Sequence, residues 1–562
     1  MNEQKHIINR SVLELKVPGR VRAQLIQNKT SDIVRQKLQP ALDNLFSKLT
    51  GNEEIVRIDK LEIDLGTISE NDLENEFVEM AIKEVEYKVN ALLRLGVNKA
   101  KLSPANGKSL NINGDFIATS KSQDFLEQFI YFLKNGHFPW WHKSSVRNGE
   151  SALNANKNIF REVLNVENEL LKNKIIPLLK NNRVRKRLVF QFNHSYLYEL
   201  LKRLNAKLFE SYSTLFQYLL SCADSSKLTK TLTDSFYEIV LEYFSIELEL
   251  KSEDQKIGFI KDILDLSLAQ HSDNEKDFIL TQIILTSQFN YQKSGRSEKS
   301  LTIAAVVQAA TDLNSPGKTL QETIQYFHEK NEPVIKKLID RFSEKMQKMA
   351  IENIEYKKDE FSAGSSPIIQ GNEQEVKTKN KNKTFSLFPP QPSTDAEQIV
   401  IYNAGLVLIH PFLKHFFEGL NLLDKELRFK SQSDAFKAIH LLQFIATGNE
   451  TSPEEDLTLN KILCGLDIAE PVTKNAELSV EEKEECIYLI KTVLERWKAL
   501  KTTNPSALRD TFIQREGILK QAGQSWNLTI ERNTFDVMLE RLPWSISFVK
   551  LPWCEQILYV EW

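Results

Sequence analysis

Apolar positions along this chain fall into two periods, and the changes between them mark its elements. Over residues 8–17, Leu13, Leu15 and Val17 take one side, Glu14 and Lys16 the other, and Pro18-Gly19 stops the run. That is strand period. Over residues 20–50 the spacing becomes helical, with Val34, Leu38, Leu42, Leu45, Phe46 and Leu49 on one face. Pro40 lies inside this run. Proline lacks the N–H and its ring strikes the preceding turn, which predicts a kink or a fresh start there. A second strand is predicted over 55–65. Val56 and Ile58 share one phase and Leu61, Ile63 and Leu65 the other, so the slip at Asp59-Lys60 predicts a bulge. Gly66 ends it. Ser69-Glu-Asn-Asp72 resembles a capping box, and Leu73, Phe77, Ala81, Val85, Val89 and Leu92 then form one helical stripe. Strand, helix, strand and helix predict an N-terminal α/β unit over 1–96.

Residues 97–120 are rich in Asn, Ser, Lys and Gly and read as a loop. Residues 125–141 read as a short helix, a stop at Gly136 and an aromatic corner, Pro139-Trp140-Trp141. A helical middle region is predicted over 121–350. Its stripes are Leu197, Leu200, Leu201, Leu204 and Leu208; Phe236, Ile239, Val240, Tyr243 and Phe244; and Ile335, Leu338, Ile339, Phe342, Met346 and Met349. These do not repeat as strict heptads, so they predict stacked helices and not one long coiled coil. Residues 351–397 change composition, with a Lys-Asn run at 377–383 and Phe388-Pro-Pro-Gln-Pro-Ser393, and read as a disordered linker. A C-terminal α+β domain follows over 398–562. Its helices are predicted near 405–420, 433–447, 455–465 and 480–499, and its strands near 525–531, 545–550 and 556–561. Two Leu-Pro-Trp triplets, 542–544 and 551–553, mark strand boundaries or edges, because proline cannot donate to a ladder. The chain stays apolar to Trp562, which predicts a C-terminus packed into a short sheet. The fold class expected is mainly α with small α/β parts.

Charge changes this picture little. The 562 residues carry 73 basic and 76 acidic side chains, net −3, which favours neither nucleic acid nor an anionic membrane. The N-terminus has no signal-peptide apolar region, and no run of about 18 apolar residues occurs. Four scattered cysteines, Cys222, Cys464, Cys486 and Cys554, show no metal spacing and read as free thiols in a reducing cytoplasm.

Candidate chemistry is sparse. Glu62 and Asp64, beside Asp59, share a strand face that could hold a cation, but a solvated face is the favoured reading because Leu61, Ile63 and Leu65 take the buried side. His410 and His415 are five apart, so they do not form an i, i+4 ligand pair, and with His440 they read as core or capping histidines. Cys464 has no histidine fixed beside it and reads as a buried structural thiol. Arg183-Val-Arg-Lys-Arg187 with Phe190 and Phe192 has the basic and aromatic mix of a nucleic-acid patch, yet it is short and lies in a neutral chain. Phosphate loop, serine elbow and zinc pattern are all missing. No catalytic residue, metal site or cofactor is therefore expected. Trp140, Trp141, Trp544 and Trp553 are the candidates for a partner-binding surface, because aromatics dominate interface hot spots. Core and corner packing beside proline is the competing and favoured reading.

Several stretches carry a resemblance. They are Asn403-Ala-Gly-Leu-Val-Leu-Ile-His-Pro-Phe412, His440-Leu-Leu-Gln-Phe444 with Ala446-Thr-Gly448, Leu459-Asn-Lys-Ile-Leu-Cys-Gly-Leu466, Phe512-Ile-Gln-Arg-Glu-Gly517, and the ending Arg541-Leu-Pro-Trp-Ser…Leu-Pro-Trp…Leu-Tyr-Val-Glu-Trp562. With Ile58-Asp-Lys-Leu-Glu-Ile-Asp-Leu-Gly66 near the start, they resemble the contractile injection system tape measure protein family of phage-tail-like particles. The resemblance implies a non-enzymatic assembly protein that sets inner-tube length. Its partners would be inner-tube, baseplate or terminator proteins, with no nucleic acid and no membrane, in the cytoplasm or within the assembled particle. The alternative is a helical scaffold or chaperone that binds effector or particle subunits.

Overall fold

The computed structural model describes most of residues 6–142, 159–283 and 397–562. Asp59, the third stripe at 335–349 and residues 351–396 of the expected linker lie outside them. The chain forms two compact units. One comprises Met1–Leu171, Pro392–Glu470 and Lys474–Trp562, and the other Lys172–Gln391 with Pro471–Thr473.

In the N-terminal part of the first unit, α1 (Arg20–Ile33) and α2 (Gln39–Leu49) are joined by a π-helical turn, Val34–Leu38. The turn is the answer to Pro40. Widening the helix just before it frees the chain from a carbonyl that proline could neither bond nor clear. The predicted stripe packs in two groups. Val34 and Leu38 lie against Ile33, Leu73 and Phe77, while Leu42, Phe46 and Leu49 surround Leu45, Val85 and Val89. Leu73, Phe77, Val85 and Val89 belong to α3 (Leu73–Ala100), and in the turn before it Ser69 Oγ accepts from Asp72 N at 3.3 Å.

Three expectations fail here. Residues 11–17 take no secondary structure and join no ladder among the described residues, because alternation supplies a face and not a neighbouring strand. The strand predicted over 55–65 is only β1 (Glu54–Ile58); beyond the phase slip Leu61 and Ile63 pack on the Leu45–Val85–Val89 cluster instead of pairing. Residues 97–120 are not simply a loop. α3 runs to Ala100, and β2 (Leu110–Ile112) and β3 (Phe116–Ser120) build an antiparallel sheet in the order β1-β3-β2. α4 (Lys121–Asn135) follows and ends, as predicted, on Gly136 at φ 81°.

The second unit is helical, with helices Asn182–Gln191, His194–Leu220, Ser226–Ser245 and Glu253–Leu268. Both stripes expected here face its core: Leu197, Leu200 and Leu201 are wholly buried, as are Val240 and Phe244. Phe216 stacks on Phe236 at 3.9 Å between ring centroids, and Tyr212 on Phe259 at 5.0 Å. Asn205 leaves helical geometry and its side chain accepts from Leu208 N at 3.1 Å, so it caps a second helix inside the first run.

The C-terminal part of the first unit has the four expected helices, His410–Gly419, Gln432–Thr447, Thr458–Leu463 and Val480–Arg496. The three expected strands are β6 (Ser525–Ile530), β7 (Phe548–Val549) and β8 (Ile557–Glu561). Two more, β4 (Gln398–Ile401) and β5 (Gly517–Ala522), complete a mixed sheet in the order β4-β5-β6-β8-β7, with β6 and β8 parallel. Ile399, Leu519, Leu528 and Leu558 fill its buried face. The final strand therefore lies inside the sheet, and the fold is mainly α with small sheets, as the periodicity predicted.

Candidate functional site

The four tryptophans are half-buried and tied into the fold. Trp140 and Trp141 meet edge to face at 5.7 Å at the corner after α4. The Arg57 guanidinium lies 4.8 Å over the Trp141 ring and is paired with Asp124 and Glu127. Beneath this corner Gln128 donates to Asp124, and His142 Nδ1 lies 2.7 Å from Gln128 Oε1. Burial pushes the His142 pKa down to about 4, so at neutral pH the imidazole is uncharged and its Nδ1–H donates to that oxygen.

The two Leu-Pro-Trp triplets repeat one device. Trp544 Nε1 donates to Leu408 O at 3.0 Å, and Trp553 Nε1 to Leu463 O at 2.8 Å. Each indole satisfies a carbonyl near the end of a helical segment while its ring stays apolar. Trp544 meets Phe412 and Trp553 meets Phe417, both on the helix His410–Gly419. Five residues on a helix turn through about 140°, so the two tryptophans brace different sides of it.

The remaining C-terminal resemblance stretches interlock with one another. Asn403 Nδ2 reaches Gln443 Oε1 at 3.0 Å, Asp456 O at 3.0 Å and Asn460 Oδ1 at 2.8 Å, and Asn460 Nδ2 reaches Ile439 O. Gly405 lies so close to the next stretch that a Cβ there would stand 1.7 Å from Phe512 O. Arg515 carries the stretch 512–517 onward. Its guanidinium grips both oxygens of Asp536 at 2.7 and 3.1 Å and lies 5.4 Å over the ring of Trp562, whose Nε1 also donates to Asp536. Burial alone would raise the Asp536 carboxyl, but the bonds from Arg515, Asn533 N and Trp562 outweigh it and hold the pKa below its ordinary value. Lys461 and Glu454 form an ion pair at 2.6 Å with both side chains at most 1% exposed, and Lys461 also donates to Ile468 O.

The polar candidates read from sequence do not assemble into chemistry. Glu62 and Asp64 are exposed. His410 Nδ1 is held 2.8 Å from Val407 O, and burial lowers its pKa. His415 is exposed beside Glu418, and His440 is buried. Cys464 is buried and burial drives its thiol well above the ordinary value, away from the thiolate a nucleophile needs. Of the basic run, Arg187 is wholly buried, and Arg185 donates to Leu179 O and pairs with Glu242 at 3.0 Å. Among the described residues no group of three or more His, Cys, Asp or Glu is arranged to hold a metal, and no helix is long and apolar enough to cross a membrane.

Sequence reasoning singled out the tryptophans but missed Arg515, Asp536, Lys461 and Glu454. A lysine inside the apolar run Leu459–Leu466 was the available signal. Comparison with known proteins adds one finding. The family described as contractile injection system tape measure protein matches residues 5–562, so the resemblance seen at both ends extends through the middle. No curated protein and no solved structure matches the chain. The chain belongs to the contractile injection system tape measure protein family.

Proposed function

We propose that this protein sets the inner-tube length of a contractile, phage-tail-like particle, acting by binding and not by catalysis. The family match across residues 5–562 carries this reading. The N-terminal unit and the C-terminal domain act as folded anchors toward baseplate, tube or terminator proteins, and residues 121–397 between them supply the length. Trp544 and Trp553 contribute to the C-terminal anchoring surface, and Trp140 and Trp141 to a partner surface at the start of the length-supplying region, through the faces their internal bonds leave partly exposed. The protein works in the cytoplasm and within the assembling particle.

Tube length measured by electron microscopy tests the proposal. Removing 40 residues from the middle region should shorten the tube by roughly 60 Å if that region runs as helix. Tubes of unchanged length that lack cargo would instead favour a scaffold or chaperone. His410→Ala and Cys464→Ala should leave tube length unchanged. Loss of assembly in a variant that still melts normally would point to chemistry around residues 403–466.

A further inference from the structure

Two distant stretches of the C-terminal domain meet through their cysteines. Cys464 follows the helix Thr458–Leu463, and Cys554 follows the second Leu-Pro-Trp triplet. Trp553 Nε1 donates to Leu463 O at 2.8 Å and ties the two backbones together. Cys554 Sγ then lies 3.5 Å from Ile462 O and 3.6 Å from Leu463 O, the carbonyl of the peptide unit that enters Cys464. A Cβ placed on Gly465, the residue after Cys464, would stand 3.5 Å from the same sulfur. The Cys554 sulfur therefore touches the chain on both sides of Cys464. Each turn is fixed by its own bonds, Cys464 N to Asn460 O at 2.9 Å and Cys554 N to Leu551 O at 3.0 Å. Both cysteines are free and buried. Neighbouring cysteines on fixed backbone are what disulfide geometry requires.

The two thiols are not equivalent. Cys464 is 2% exposed, and burial together with the nearby Cys554 drives its thiol well above the ordinary value. Cys554 is 9% exposed and lines a small cavity with Val549, Leu551, Gln556 and Leu558, whose room is close to that of one water molecule. Lys550 Nζ donates to Cys554 O at 2.7 Å. Burial pushes the Cys554 thiol up to about 12, and the Lys550 charge works against that rise. Access and a neighbouring cation both mark Cys554 as the thiol that reacts first.

We propose that Cys554 and Cys464 form an oxidation site that takes hydrogen peroxide through this cavity and closes a disulfide. The Cys554 thiolate attacks one peroxide oxygen. The O–O bond breaks, water leaves and Cys554 becomes a sulfenic acid. The Cys464 sulfur attacks the Cys554 sulfur next. The S–O bond breaks, and the hydroxyl leaves with the Cys464 proton as a second water. Two thiols are oxidised and one peroxide is reduced to two waters. The new bond ties the stretch 458–466 to the segment between β7 and β8 and closes a loop of about 90 residues. The oxidised domain is thereby locked in its folded form. The inference rests on this geometry and stands apart from the tape measure reading.

Peroxide treatment of the full chain, followed by alkylation and peptide mapping, tests it. One cross-linked peptide should join Cys464 to Cys554, while Cys486, which is wholly buried, stays free. Oxidised glutathione is too large for the cavity and should cross-link the folded chain at least tenfold more slowly. Cys464→Ala should stop at a sulfenic acid on Cys554 that dimedone captures, and Cys554→Ala should take no dimedone at Cys464. Near-UV circular dichroism checks that each is folded, with Cys464→Ser and Cys554→Ser in reserve should an alanine variant fail. The oxidised wild type should melt about 4–16 °C above the reduced one, and dithiothreitol should reverse the shift. A cross-link that forms only in denaturant, an equal rate with oxidised glutathione, or a melting temperature that does not rise would each overturn the proposal.

Discussion

Asp536→Ala is the sharpest probe of what holds the C-terminal domain together. The carboxylate is 6% exposed and receives Arg515 through two bonds, Asn533 N at 2.8 Å and Trp562 Nε1 at 3.1 Å. Removing it leaves the Arg515 guanidinium, itself 8% exposed, without its counter-charge. Breaking one side of a buried pair costs about 3–5 kcal/mol. Glu531 O still accepts from Arg515, which places the expected loss near the lower end. At about 2–4 °C per kcal/mol for a domain of this size, the melting temperature should fall by about 6–12 °C. Arg515→Met alone should also destabilise, and the double variant should cost less than the sum by about 1–3 kcal/mol, since the two residues share one interaction. Melting followed by near-UV circular dichroism measures both. The sign with pH also follows. Asp536 has a lowered folded pKa, so its contribution is complete above its unfolded value of about 3.9 and is lost as pH falls through the folded value. The Asp536→Ala variant and the wild type should therefore begin to converge in stability as pH falls below about 4, and meet only below the lowered folded pKa. A variant that melts within about 1 kcal/mol of the wild type at pH 7 would refute the reasoning.

Gly405→Ala should prevent the domain from folding or cost more than about 3 kcal/mol, because the new Cβ meets backbone at 1.7 Å; soluble yield and melting read this. Lys461→Met leaves Glu454 buried without its partner and should cost about 3–5 kcal/mol, much of it recovered on adding Glu454→Leu, as denaturant unfolding would show. Trp553→Ala should cost about 3–5 kcal/mol, since it also strips the cap from Leu463 O. Deleting residues 557–562 removes β8 from between β6 and β7 and should abolish cooperative melting of the domain; an unchanged transition would contradict the sheet order.

What could be read along the chain was whatever one element decides by itself. The α3 stripe, the Ser69–Asp72 turn before it, the glycine stop at Gly136 and the break at Pro40 are local, and each appears where the sequence placed it. Elements that need a partner were harder. Residues 11–17 have the alternation of a strand and no ladder, whereas β5, with Ile518 and Leu519 adjacent and Lys520-Gln521 after them, has little alternation and sits inside a sheet. Its place comes from β4 and β6 on either side, 116 residues before Gly517 at Ile401 and 13 after it at Ile530. The same holds for the interlocks. Asn403, Gln443 and Asn460 meet across separations of 40 and 57 residues, and no period within one helix announces that contact. The C-terminal stretches that carried the family resemblance prove to hold these joints.

A ruler built from a folded chain raises a physical problem, and the joints bear on it. As one helix the 562 residues would span about 840 Å at 1.5 Å per residue, whereas α3, at 28 residues, spans about 42 Å. Extending a folded domain costs its folding free energy, about 5–15 kcal/mol, unless contacts in the tube replace what is lost. The C-terminal domain is the least suited to that. Opening it would expose the Lys461–Glu454 pair and the Arg515–Asp536–Trp562 cluster together and separate a five-stranded sheet. Length is therefore better supplied from the 277 residues of 121–397, which reach about 415 Å as helix. The slope of tube length against residues removed separates the possible states of that region. Helix gives about 1.5 Å per residue, extended chain about 3.3 Å, and helices that stay bundled give no proportional change. A slope near zero over several deletions, in particles that still assemble, would sink the idea that this region supplies the length and leave the protein as a folded scaffold.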